Sequence, residues 1–264
     1  MSEKFQIKLS SNEILVLAAL LGYDSVFGLK EDFIFDDKAD VKSLIRQNVR
    51  RLERKRLIRY DLNGILYILP MLRKAICCMC DADVVGLFST NLKSGKKASI
   101  YVIERNDVVV SLELLNDGKY LVQTTDEIPL KEIVPYEIMT SHQCEINEKM
   151  LFEEAEYVHS QIESFNHEEA EKRIKKHVSN LEATSLIAKI LTGNCGYMSV
   201  QVHRRSSVSL YSAVYNALLV AVDNSTISLI ADENRILRFK ATSPDEIVSQ
   251  IHSQFNVNMK RGAD

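Results

Sequence analysis

Ala98-Ser99-Ile100-Tyr101-Val102-Ile103-Glu104, then Val108-Val109-Val110-Ser111-Leu112-Glu113-Leu114-Leu115, then Lys119-Tyr120-Leu121-Val122-Gln123-Thr124-Thr125 are three apolar-rich runs, the last two parted by Asn116-Asp117-Gly118. Runs of about four to eight residues rich in Val, Ile, Tyr and Thr, bounded by Asn, Asp and Gly, read as strands. A helix signal follows, to residue 138. The same order returns as Ala217-Leu218-Leu219-Val220-Ala221-Val222-Asp223, Thr226–Asp232, a break at Glu233-Asn234, Arg235–Thr242 and a closing helix to residue 252. With a shift of a few residues in the middle strand, strand, turn, strand, turn, strand, helix occurs twice. The match is one of pattern, and the copies share no chemically active residues, so the duplication points to a binding scaffold. The expected class is α+β: a pseudo-twofold duplication of a helices–antiparallel sheet–helix unit.

Upstream of the first copy, Ser10 and Glu13 form a capping-box pattern before Ile14–Leu21, a short apolar helix that ends at Gly22. Asp40 reads as the N-cap of a second helix, from Val41 to about Lys55, with Val41, Leu44, Ile45, Val49 and Leu52 at helical spacing. Leu57–Tyr60 and Ile65–Leu69 read as a hairpin about Asn63-Gly64, and Pro70 opens a third helix. Helix followed by hairpin is the outline of a winged helix over 10–69. Its basic face carries Arg46, Arg50, Arg51 and Arg54, so one reading is a winged-helix transcription regulator that sets helix 41–56 on DNA. The other is a solvated face opposite an apolar stripe. Glu31, Asp32, Asp36, Asp37 and Asp40 precede that helix and the whole chain is acidic, which weighs against nucleic acid.

Between the copies, Asn166 with Glu169 gives a further capping signature. Two polar-rich helices are expected over 147–191, the second running from Ala170 through Leu181 and Thr184. Acidic residues early and basic residues late in that second helix suit its dipole. Strands and a last helix follow over 196–255, with Arg204-Arg205-Ser206-Ser207 as a polar turn and Ser243-Pro244 as a helix start. The chain is therefore expected to divide into halves 1–138 (winged-helix-like 10–69, strands and helix 84–138) and 139–264.

The chain has 264 residues and a net charge of −3, the balance of an ordinary soluble protein with no pull towards anionic surfaces. The apolar run Ile14–Leu21 is far shorter than the roughly 20 residues of a membrane helix, and no signal peptide opens the chain. Membrane insertion is not expected, and a cytoplasmic site is. Five cysteines fit that compartment. Cys77-Cys78-Met79-Cys80 contains a C-x-x-C, and His142 and Cys144 could complete a zinc site. No second tight ligand pair supports one, and free cysteine on a buried helix face packs as a small hydrophobe. No Gly-rich phosphate loop, Gly-x-Ser-x-Gly or His-Glu-x-x-His occurs. His142, His159, His167, His177, His203 and His252 sit in polar company, and adjacent acids such as Glu153-Glu154 do not share a helix face. His203 beside Arg204 and Arg205 could hold an anion, but a solvated turn is the plainer reading. No catalytic residue, metal or cofactor is expected, and the chain reads as a non-enzymatic binding protein.

The opening Leu9-Ser10-Ser11-Asn12-Glu13-Ile14-Leu15-Val16-Leu17-Ala18-Ala19-Leu20-Leu21-Gly22 and the later Leu52-Glu53-Arg54-Lys55-Arg56-Leu57-Ile58 with Asn63-Gly64 resemble the EspG proteins of ESX (type VII) secretion systems. The paired sheet-and-helix units are similar to that family's layout over nearly the whole chain. The resemblance implies a non-enzymatic cytosolic chaperone in a bacterium, one that binds a secreted effector or helical substrate protein and keeps it soluble. No motif matches residue by residue, so no partner-binding residue carries over. Chaperone clients bury apolar tips, so an apolar groove near the repeat junction is expected. Few glycines and many lysines set the chain apart from mycobacterial members and suit a low-GC Gram-positive counterpart.

Overall fold

The computed structural model describes residues 5–29, 38–94, 97–105, 108–125, 128, 130–139, 146–178, 180–206 and 211–255. In chain order the elements are β1 (Phe5–Leu9), α1 (Ser11–Leu20), α2 (Lys38–Arg54), β2 (Ile58–Tyr60), β3 (Leu66–Ile68) and α3 (Pro70–Cys80). Next come β4 (Val84–Asn91), β5 (Lys97–Arg105), β6 (Val108–Leu114), β7 (Tyr120–Thr125) and α4 (Leu130–Ile133). Then follow β8 (Asn147–Leu151), α5 (Phe152–Glu163), α6 (His167–Ile174), α7 (Leu181–Leu191), β9 (Gly196–Arg205), β10 (Tyr211–Val222), β11 (Ser225–Ala231), β12 (Ile236–Ala241) and α8 (Pro244–Phe255). The class is mixed α+β with a large antiparallel sheet.

Two compact units account for the chain. The first comprises Met1–Gly86, Ile100–Ile128 and His203–Ser212, and the second Leu87–Ser99, Pro129–Val202 and Ala213–Asp264. In the first unit β1, β7, β6 and β5 lie side by side and antiparallel, with Leu9 opposite Tyr120 and Leu112 opposite both Val122 and Tyr101. Helices α1, α2 and α3 and the sheet face close a core of Leu9, Ile14, Leu17, Leu72, Met79 and Leu112. Ser10 caps α1: its Oγ accepts from the Glu13 amide at 3.2 Å and its own amide donates to Glu13 Oε2 at 2.8 Å. Gly28 has φ +83, and a Cβ there would meet Leu112 Cδ2 at 2.8 Å and Tyr101 Cγ at 2.9 Å, so the loop after α1 approaches the sheet where only glycine fits.

In the second unit β10, β11, β12 and β8 run antiparallel, with Leu229 opposite Phe239 and Met150 opposite Leu237. Val158, Ile174, Ile187, Ile227 and Phe239 are at 0% exposure and form the core with α5, α6 and α7. Within this core Thr226 Oγ1 donates to the Ile138 carbonyl at 2.7 Å, which pairs a fully buried hydroxyl.

Several expectations change. Asn147–Leu151 is a strand, not helix, because pairing with β12 outweighs its polar, helix-like composition. β1 also escaped the sequence reading, although Phe5, Ile7 and Leu9 alternate with Gln6 and Lys8. The helix after Asn166 stops at Ile174. A separate α7 starts at Leu181, capped by Asn180, whose side chain accepts from the Glu182 amide at 2.8 Å. Asn166 itself precedes α6, but its side chain bonds Gln161 instead of capping. α2 begins at Lys38, which puts Asp40 inside its first turn. Arg204 and Arg205 close β9 and are not in a turn.

Candidate partner-binding surface

α2 sets one face inward: Leu52 and Asn48 are at 0% exposure and Val49 is half-buried. Arg46, Arg50, Arg51 and Arg54 are exposed on the other side. Arg46, Arg50 and Arg54 recur every four residues and so stand above one another along the helix. Arg51 and Arg54 lie in the last turn, where cations suit the helix dipole. Lys55 turns away from this stripe to Glu13, its Nζ 2.6 Å from a carboxylate whose side chain is only 4% exposed.

The helix ends on a paired closure. The Leu57 amide donates to the Leu52 carbonyl at 3.0 Å and the Arg56 amide to the Glu53 carbonyl at 2.8 Å. This Schellman arrangement needs a left-handed residue between, normally glycine. Here it is Arg56, at φ +57. α1 closes with the same bonds, but with Gly22 in that place.

The chain then makes the β2–β3 hairpin, with Ile58 opposite Ile68 and Arg59 opposite Tyr67. Asp61 Oδ1 accepts from the amides of Asn63 (2.9 Å) and Ile65 (2.7 Å), and Gly64 supplies φ +79, which fixes the turn expected from Asn63-Gly64. The Arg59 guanidinium lies over the Tyr67 ring at 5.2 Å. The Leu69 amide donates to the Leu57 carbonyl at 2.9 Å, and Pro70 opens α3. The hairpin is small, yet Tyr60, Leu62, Ile65, Tyr67 and Leu69 on it are all exposed, Leu62 fully. Between it and the end of α2 lies a cleft of 520 Å³ lined by Glu53, Arg56, Leu57, Arg59, Ile68 and Leu69, among others. The sequence reading marked the arginines and missed the cleft. The available signal was Leu62 and Ile65 flanking Asn63-Gly64, where a turn tip ordinarily carries polar side chains.

The other candidates are held in structural roles. Cys78 is buried, its Sγ within 3.5 Å of the Ile103 carbonyl and 3.4 Å of that of Val108, and burial pushes its thiol up to about 12. Burial also pushes Cys80 up to about 12. Both stay protonated near neutrality, which makes them poor nucleophiles. His142 and Cys144 lie outside the described residues, and among the described residues no cluster of three His, Cys, Asp or Glu side chains is placed to hold a metal. Arg205 is ion-paired with Asp81, which also receives Arg105, and it lies against Tyr211, whose hydroxyl donates to the Ala82 carbonyl at 2.6 Å. That partner takes up the guanidinium that would have joined His203 in holding an anion.

No protein-family model matches the chain, and no curated protein matches it by sequence. Its structure is similar to that of the Mycobacterium tuberculosis type VII secretion system chaperone EspG5, solved in complex with the PE25-PPE41 dimer, with a TM-score of 0.64 over 96% of each chain at 11% identity. The fold is EspG-like. At that identity the likeness is one of backbone arrangement, and it runs the length of both chains. No helix among the described residues is long and apolar enough to cross a membrane.

Proposed function

We propose that this chain is a non-enzymatic chaperone of the type VII secretion kind, which binds a secreted effector in the cytoplasm and keeps it soluble. The observation that carries the reading is the EspG-like fold, matched over 96% of the chain to a protein that is itself a chaperone bound to a PE25-PPE41 dimer. The exposed apolar side chains on the β2–β3 hairpin, Leu62 and Ile65 foremost, support it, since apolar side chains left in solvent there are available to a partner.

The finer architecture belongs to the same proposal. The halves 1–138 and 139–264 are read as copies of one unit. In support, strand, three helices, four strands and helix recur as β1 to α4 and as β8 to α8, with the β2–β3 hairpin as the elaboration of the first copy. In each, the opening strand pairs antiparallel with the last: β1 with β7, and β8 with β12. The winged-helix look of 10–69 is then a feature of the first copy and not a separate DNA-binding domain.

Co-expression with the proteins encoded beside it tests the reading. A neighbouring helical protein should co-purify in a stable complex, and Arg50→Glu with Arg54→Glu should leave that complex intact. If no neighbour is retained, and the chain instead shifts a promoter fragment at moderate salt in a way the double change abolishes, the winged-helix regulator replaces the chaperone.

A further inference from the structure

Opposite demands meet at the end of α2. The cleft is lined by the apolar Leu57, Ile58, Ile68 and Leu69 together with Arg56 and Arg59, against a single acid, Glu53. The helix face leading to it presents Arg46, Arg50 and Arg54 at four-residue spacing, where like charges repel along a helix. Arg56 holds a left-handed backbone that α1 assigns to glycine. The repulsion carried by the free protein is a cost that a bound anion offsets.

We infer that this cleft is a docking site for an acidic protein segment with apolar anchors. Its carboxylates pair with Arg56 and Arg59, whose guanidinium forks match them in shape. Its Leu, Ile or Phe anchors fill the cleft and cover Leu62, Ile65 and Tyr67. Arg59 is already set over the Tyr67 ring, so little side-chain freedom is lost when it engages. The other polyanion, nucleic acid, leaves the apolar half of the surface unmatched: Arg59 is the one basic residue in 58–68, and a phosphate backbone has nothing to cover Leu62 or Ile65. The inference goes beyond the chaperone reading and does not rest on it.

Fluorescence anisotropy of a short labelled peptide of alternating glutamate and leucine, titrated with the full chain, tests it. Its glutamine-for-glutamate counterpart and a labelled DNA duplex are the comparison probes. The glutamate peptide should bind saturably and weaken as salt rises. Arg56→Gly should weaken it about tenfold or more, the loss expected when a well-placed charged contact is removed. That change puts glycine where the backbone favours it, so the loss is not explained by unfolding. Leu62→Ser with Ile65→Ser, both on the exposed hairpin tip, should weaken binding comparably. Equal binding of the glutamine peptide, tighter binding of the duplex, or no saturable binding of the glutamate peptide overturns the inference. An effector complex that persists while the peptide fails to bind removes this docking site and leaves the chaperone reading standing.

Discussion

Glu13 carries two duties at once. Its carboxylate closes the capping box of α1 and, at 3% residue exposure, depends on Lys55 for its counter-charge. Lys55→Met removes the cation and leaves a buried carboxylate with only its backbone partner. We expect a loss of about 1–3 kcal/mol in denaturant unfolding, since Lys55 is itself partly solvated. Glu13→Gln added to Lys55→Met should recover most of it, because glutamine keeps the box and carries no charge. Arg56 behaves in the opposite sense. Arg56→Gly should raise stability by roughly 1 kcal/mol by relieving the left-handed strain, measurable as a higher denaturation midpoint with an unchanged slope. Ser10 and Glu13 were legible as a pair from their spacing alone. Lys55 as the partner of Glu13 was not, because 42 residues separate them and only the packing of α2 on α1 brings them together.

Elements with a strong local signal came through. Ser243 and Glu246 cap α8 reciprocally, and Lys240 Nζ adds a 3.0 Å contact to Glu246. The Lys240 contact first, and then the Ser243 amide, hold the Glu246 carboxyl below its ordinary 4.5. A carboxylate with a lowered folded value contributes its stabilisation above the unfolded value and loses it as pH falls through the folded one. The first turn of α8 should therefore stay ordered from neutrality down to about pH 4.5 and loosen below it, which chemical shifts of Asp245–Val248 over an acid titration will report. Glu246→Gln should flatten that response. Elements that depend on distant partners were not legible. Asn147–Leu151 has no strand character of its own and becomes a strand by pairing with β12. The break before α7 turns on the Asn180 cap, which a continuous helical pattern through Ile174, Leu181 and Thr184 conceals. The β2–β3 hairpin was legible from its turn, but its apolar exposure was not, since exposure follows from what fails to pack against it.

At the scale of the whole molecule, strand runs and helix signals along the chain made the α+β class legible. The likeness to EspG5, at a TM-score of 0.64 and 11% identity, is one of fold. Alternation and turn placement can specify one arrangement in chains that share few residues. The partner was not legible, because a binding surface is made of exposed side chains that carry no periodic signature. The most direct measurement is the solubility of a neighbouring effector expressed with and without this chain. The effector should pellet alone and remain in the supernatant with the chain present, eluting with it as one complex on size exclusion. An effector that stays equally soluble alone, or that pellets regardless while the chain elutes by itself, would contradict the chaperone assignment.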